Sequence, residues 1–232
     1  MNDWSPDFLR SQICLSLPVD LKQIVAVLGY QVVELNINSA DAYIICSPKQ
    51  YIVTKLGATE HRQRFSIAHE IGHLMLGHNF NELFCNGIGL SRFKQESVAC
   101  EKAADNYAAE LLMPTIEIQK DILQEFSLDF AFETSSNKYD VSLESYLIRF
   151  AQLADFPLAV LFIDCQTTKW KIASSSWFEE IDLSHYFNLP TAKKSHCSEW
   201  MDIDFNYEDF YIIHEKREYP NECAIIVLYS SS

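Results

Sequence analysis

Apolar positions recur along this chain at two spacings, which predict a mixture of short helices and short strands. From Leu21 to Leu28 they follow the helical spacing, and Gly29 is suited to the position just after a helix. Three runs rich in Val, Ile and Tyr follow, separated by turn residues, at 31–35, 42–46 and 51–54. We expect these three runs to form a small antiparallel sheet.

Longer helical patterns dominate the middle of the sequence. Four helices are predicted there, each bounded by a capping or helix-breaking residue, over 66–76, 96–113, 115–126 and 142–156. Ser66 is a suitable N-cap for the first of these helices, and Gly77 is its stop. The segment 80–94, between the first two, is predicted to be an irregular loop.

The pattern changes near residue 158, where strand signals replace helical ones. Short β-rich runs occur at 158–163, 169–173 and 224–228. We therefore expect an α+β protein with two domains. Residues 1–155 would form a mainly helical domain with the small antiparallel sheet, and residues 156–232 a smaller, acidic α+β region.

Composition narrows the class of protein further. The apolar fraction of 48% is enough to fill a core, and the net charge of −14 is opposite in sign to that of nucleic-acid-binding domains. No apolar run approaches the ~20 residues of a membrane span. The first residues lack the basic and apolar segments of a secretory signal, and the seven cysteines include no C-x-x-C pair. We expect a cytoplasmic protein with free thiols, without a membrane segment or direct contact with nucleic acid.

The segment His69-Glu70-Ile71-Gly72-His73 is an H-E-x-x-H motif within a predicted helix. Helical residues four positions apart differ by about 400° in direction, so the two histidines share one face and can bind one Zn²⁺. Glu70 lies beside that face, where it can take a proton from water without being a ligand. The flanking residues are mostly apolar, and a buried helix with such ionisable groups needs partners for them. A solvated helix without metal is the alternative.

A catalytic zinc site needs a third protein ligand, for which the second long helix offers candidates. Glu101 and Asp105 lie on one face of that helix, and neighbouring alanines would allow close approach to the first. We predict Glu101 as the ligand, with Cys100, about 100° away, as its rival. Asp105 would then accept a hydrogen bond from a ligating histidine. Two nitrogens and one oxygen suit Zn²⁺, with Mn²⁺ as an alternative.

Three further residues near these motifs are assigned structural roles. His78 lies five positions after His73, about 140° around a helix, so we expect a helix-end histidine and not a ligand, with a transition-state stabiliser as the alternative. Tyr107 lies about 240° from Glu101, which favours core packing over donation to an oxyanion. We expect Arg64 to pair with a nearby carboxylate, with a substrate contact as the alternative.

Two segments together resemble the ImmA/IrrE family of metallopeptidases. Arg64–His78 looks like the active helix of that family, and Glu101–Pro114 is similar to its second signature. The resemblance extends over residues 15–155, and the two motifs occur in the family's order. One departure is that many members carry Ala-Asn where this chain has Ala104-Asp105, and Asp keeps the role of hydrogen-bond acceptor.

The resemblance implies both a fold and an activity. It implies a zincin-like core in which His69, His73 and Glu101 bind zinc and Glu70 is the catalytic residue. It also implies an endopeptidase with a protein substrate, a helix-turn-helix transcriptional repressor, in a stress-response or mobile-element switch. The competing hypothesis is a catalytically silent metal-binding sensor or repressor-binding module. Glu70 favours catalysis, because a pure binding protein has no need of a base there.

Overall fold

The chain folds as an α+β protein, as the sequence predicts. The computed structural model describes residues 5–12, 16–37, 40–46, 48–78, 90–124, 128–156, 158–164, 167–175, 199–200, 210–218 and 222–230. The chain divides into two compact units, one formed by 1–115 and 133–142, the other by 116–132 and 143–232. Among the helices of the described segments, none has the length and apolar character needed to cross a bilayer.

The first unit contains helices, a small sheet and a π-helical turn. Its elements are α1 (Pro6–Gln12), α2 (Leu21–Val27), β1 (Gln31–Leu35), β2 (Ala42–Ile45), β3 (Tyr51–Lys55), α3 (Glu60–Met75), α4 (Leu90–Leu112) and the π-helical turn (Thr134–Tyr139). The Asp20 side chain caps α2 by accepting from the backbone N–H groups of the first turn. Gly29 follows α2 with φ of +81°, as its predicted position after a helix requires.

The small sheet is mixed, not antiparallel throughout as predicted. Its strand order is β1-β3-β2. β2 and β3 form an antiparallel pair with Ile44 opposite Ile52, whereas β1 runs parallel to β3 with Val33 opposite Val53. The chain reverses between β1 and β2 and again between β2 and β3. Two reversals return the chain to the direction of β1, so β1, which pairs with the other edge of β3, runs parallel to it.

Both long helices begin earlier than the apolar pattern predicts. α3 starts at Glu60 and not at Ser66, because its first turn is polar and contributes no apolar periodicity, while a carboxylate there favours the helix dipole. α4 starts at Leu90, so residues 90–94 are helical where a loop was predicted. The remainder of that predicted loop falls on residues outside the described ones.

The prediction that Gly77 ends α3 is confirmed. Gly77 also changes the direction of the chain. Gly77 has φ of +66°. Its N–H donates to the Leu74 carbonyl at 3.3 Å, and the His78 N–H donates to the His73 carbonyl at 3.1 Å. This pair of bonds defines a Schellman motif, in which a left-handed residue turns the chain back across the last helical turn. His78 therefore lies against His73 instead of continuing around the helix.

In its described residues, the second unit combines three helices with a five-stranded antiparallel sheet of order β5-β4-β8-β7-β6. Its elements are α5 (Thr115–Ile122), α6 (Leu128–Glu133), α7 (Leu143–Leu153), β4 (Leu158–Asp164), β5 (Thr167–Ala173), β6 (Glu199–Trp200), β7 (Phe210–Glu218) and β8 (Glu222–Ser230). α7 contacts β4 and β5, and its predicted apolar stripe, which includes Tyr146, Leu147 and Phe150, is buried. The domain boundary at residue 155 stays a prediction.

Arg64 joins α3 to two other segments of the first unit. Its Nε donates to the Asp140 carbonyl at 2.9 Å and lies 3.0 Å from the Asp140 carboxylate, while Nη2 donates to the Val19 carbonyl at 3.1 Å. Asp140 holds a left-handed backbone with φ of 53°. The expected pairing of Arg64 with a carboxylate is therefore confirmed.

We predict that Arg64→Ala destabilises the protein by about 2 kcal/mol, because two carbonyls and a carboxylate lose a charged donor. Arg62→Ala is the matched control on the same helix. Its side chain is 65% exposed and pairs with Asp41, and such surface pairs contribute about 0–1 kcal/mol. Urea unfolding measures both losses, and equal destabilisation by the two variants would contradict the role of Arg64.

Candidate metal centre

The candidate site lies where α3 packs against α4, and the closeness of that packing depends on a glycine. A Cβ added to Gly72 would lie 3.0 Å from the Ala104 carbonyl oxygen and 3.1 Å from Tyr107 Cβ. Ala104 and Ala108 on α4 are fully buried. Small residues on both helices therefore allow the backbones to approach, as the alanines of α4 predict.

Three predicted ligand side chains converge across this contact. His69 Nε2 lies 2.9 Å from His73 Nε2 and 3.2 Å from Glu101 Oε2, and His73 Nε2 lies 3.5 Å from Glu101 Oε1. Tetrahedral zinc with ligands at ~2.0–2.1 Å requires separations of about 3.3 Å between ligand atoms. The observed separations bracket that value, so the donor atoms fit a small divalent cation.

The part of the chain that the structure describes contains one such group of potential metal ligands, His69, His73 and Glu101. Its donor atoms all lie within 4.8 Å of one another. Cys100, the predicted rival of Glu101, does not belong to the group. α4 therefore offers a carboxylate, and not a thiol, to the two histidines of α3.

The second ring nitrogen of each histidine also has a polar neighbour. His69 Nδ1 lies 2.8 Å from Asp105 Oδ1, the position predicted for an acceptor beside a ligating histidine. His73 Nδ1 lies 2.8 Å from His78 Nδ1, a contact that sequence reasoning missed. The expected helix-end histidine is found at the helix end, but Gly77 turns it back onto His73. Recognising Gly77 as the left-handed residue of a Schellman motif would have predicted this contact.

Burial controls the protonation of the site. Glu70 is 8% exposed, and its burial raises the pKa of Glu70 to about 7, with His69 opposing the shift and Glu101 adding to it. Burial, followed by the neighbouring His69, lowers the pKa of His73, and burial lowers the pKa of His78. His73 and His78 are therefore both held towards the neutral form. For His73, a predicted ligand, this is the form of imidazole that binds a metal.

Two other polar residues of α4, Tyr107 and Glu110, do not belong to the group of potential ligands. Tyr107 is buried in the packing against α3, as expected of a core residue. Glu110 lies at the far end of α4, where its carboxylate accepts from the Thr115 N–H at 3.0 Å and from the Thr115 hydroxyl at 2.6 Å. Glu110 is therefore a carboxylate on the same helix with a structural role.

Comparison with known proteins gives matches of two kinds, to a protein family and to a solved structure. A peptidase family model described as the IrrE N-terminal-like domain matches residues 25–151, more than half of the chain. A solved structure described as a Mycobacterium tuberculosis transcriptional regulator is similar with a TM-score of 0.63, over 99% of this chain and 77% of that chain, at 11% identity. At that identity the similarity concerns the fold alone. Comparison with curated proteins gives no match.

We predict that Gly72→Ala lowers the midpoint of thermal unfolding. The same change in an unconstrained helix interior usually stabilises by about 0.5–1 kcal/mol. At Gly72 the added methyl group would press on the backbone oxygen of Ala104, which moves only if α4 moves. Lys102→Ala, at an exposed position of α4, is the control and should change stability by less than about 0.5 kcal/mol. A Gly72→Ala protein that unfolds at or above the wild-type temperature would disprove the close contact.

Proposed function

The chain belongs to the IrrE N-terminal-like peptidase family, and we propose that it is a zinc-dependent endopeptidase with a zincin-like active site. The convergence of His69 Nε2, His73 Nε2 and the Glu101 carboxylate carries this proposal. A buried carboxylate, Glu70, follows His69 directly in the chain. This combination supports peptide hydrolysis more strongly than metal storage, because a storage site needs no base.

The donor set supports zinc as the metal of this centre. Two imidazole nitrogens and one carboxylate form the ligand set of many catalytic zinc sites, which leave a fourth position open. Mn²⁺ is the alternative, since it also accepts nitrogen and oxygen ligands. When bound, zinc supplies a Lewis acid that polarises a carbonyl group and makes water more acidic.

The residues of the chain itself would handle the proton. In this proposal the Glu70 carboxylate takes a proton from the attacking water and passes it to the departing amine of the cleaved peptide. Its burial supports this role, because a carboxyl group with a pKa of about 7 can accept and release a proton near neutral pH. Asp105 would accept from the Nδ1–H of His69 and so keep its Nε2 directed towards Glu101.

We propose a helix-turn-helix transcriptional repressor as the substrate. The net charge of −14 supports a basic partner, since DNA-binding proteins are usually basic and opposite charges accelerate association. The similarity in fold to a protein described as a transcriptional regulator also fits a role in gene regulation. In this proposal the enzyme acts on the repressor protein and makes no contact with DNA.

Metal content tests the ligand assignment. We predict that purified wild-type protein binds one Zn²⁺ and that His69→Ala or His73→Ala abolishes tight binding, because two of three ligands come from α3. Glu101→Gln should weaken binding. Glu110→Gln, which changes a carboxylate at the far end of α4, is the control and should retain the metal. Equal zinc in all variants by elemental analysis would refute the site.

Cleavage of a repressor tests the catalytic role of Glu70. A candidate helix-turn-helix repressor is incubated with zinc-loaded wild type and with Glu70→Gln, and products are identified by mass spectrometry. We predict that Glu70→Gln keeps its zinc and its fold but loses cleavage by a factor of at least about 10², because an amide cannot accept the proton. Cleavage by both proteins at the same rate would refute the mechanism. Binding without cleavage by either would instead favour a repressor-binding module.

A further inference from the structure

The two ring nitrogens of His73 face different partners. Nε2 faces His69 Nε2 at 2.9 Å and Glu101 Oε1 at 3.5 Å, on the side of the proposed metal. Nδ1, on the opposite side of the ring, lies 2.8 Å from His78 Nδ1. The His73 and His78 rings meet edge to face, with centroids 4.9 Å apart. His78 therefore lies behind His73 and outside the group of ligand atoms.

The backbone fixes this contact independently of the two rings. Gly77, with its left-handed backbone, turns the chain back towards His73. The His78 N–H then donates to the carbonyl of His73, the same residue whose ring contacts the His78 ring. A backbone bond and a side-chain contact thus join the same two residues. Because the Schellman motif restricts the main chain at His78, little further ordering is needed to bring the two rings together.

We propose that His78 is a positioning residue, which holds the His73 ring in one tautomer and one orientation by accepting a hydrogen bond from its Nδ1–H. This inference rests on the proposed metal centre. A neutral imidazole that binds a metal through Nε2 carries its proton on Nδ1. Since a bond between two Nδ1 atoms needs one donor and one acceptor, His73 donates and His78 accepts. His78 then carries its own proton on Nε2.

Electrostatics also favours an imidazole over a carboxylate at position 78. His69 has a carboxylate acceptor, Asp105, whose side chain is 55% exposed, so solvent screens its charge. The His73 side chain is almost completely buried. A second carboxylate behind it would add negative charge close to Glu101 and Glu70, in a region where charge is poorly screened. A neutral imidazole accepts the same hydrogen bond without that cost.

Zinc affinity tests the proposal without relying on peptidase activity. Competition with a chromogenic chelator at pH 8 gives the zinc dissociation constants of wild type, His78→Phe and His78→Gln. We expect His78→Phe, which keeps a ring but has no acceptor, to bind zinc about 10–100-fold more weakly. His78→Gln, whose amide oxygen can accept, should recover part of that loss. His61→Phe is the control, since His61 lies in the first turn of α3 beside Asp140, and it should bind zinc as wild type does.

Equal zinc affinity of wild type and His78→Phe would overturn the positioning role while leaving the metal centre intact. A wild-type protein that binds no zinc would remove the metal centre and, with it, this inference. Long-range ¹H–¹⁵N spectra of the zinc-loaded wild type add a test that requires no variant to fold. They should show His73 protonated at Nδ1 and His78 protonated at Nε2, and a His78 protonated at Nδ1 would contradict the proposal.

Discussion

The distance between α3 and α4 is the constraint on which the candidate site depends. The helices approach until a Cβ on Gly72 would lie 3.0 Å from the Ala104 carbonyl oxygen. Ala104 lies about one turn after Glu101, so this approach is also what brings the Glu101 carboxylate to the two histidines. α3 alone would offer two imidazoles, which is one ligand fewer than a catalytic zinc site requires.

Close packing of two helices also buries groups that an ordinary core would exclude. Glu70 and His73 are buried, and burying such groups costs free energy unless each has a partner. His73 meets this requirement at both ring nitrogens, through His69 and Glu101 on one side and His78 on the other. Ionisable groups concentrated in a packed helix interface, with pKa values shifted by burial, are typical of functional sites. The stability of α3 and the chemistry of the site are therefore linked through the same side chains.

Local patterns predicted the parts of the structure that local geometry determines. The spacing of His69 and His73 places both on one helix face whatever the rest of the fold does, and the same holds for Glu101 and Asp105. The direction of β1 was not predictable in this way, because its partner β3 follows in the sequence only after another strand, β2. His78 was predicted correctly as a helix-end histidine, but its contact with His73 was missed for a different reason. Its angle from His73 was extrapolated along a helix that the left-handed Gly77 ends.

X-ray absorption at the zinc edge of the metal-loaded protein tests the central claim most directly, because it identifies the atoms bound to the metal. Nitrogen and oxygen neighbours alone at ~2.0–2.1 Å, including two imidazoles, are the predicted result for His69, His73 and Glu101. A sulfur neighbour at about 2.3 Å would show that a cysteine, with Cys100 the nearest candidate in sequence to Glu101, binds the metal. That result would contradict the assignment of the carboxylate as the third ligand.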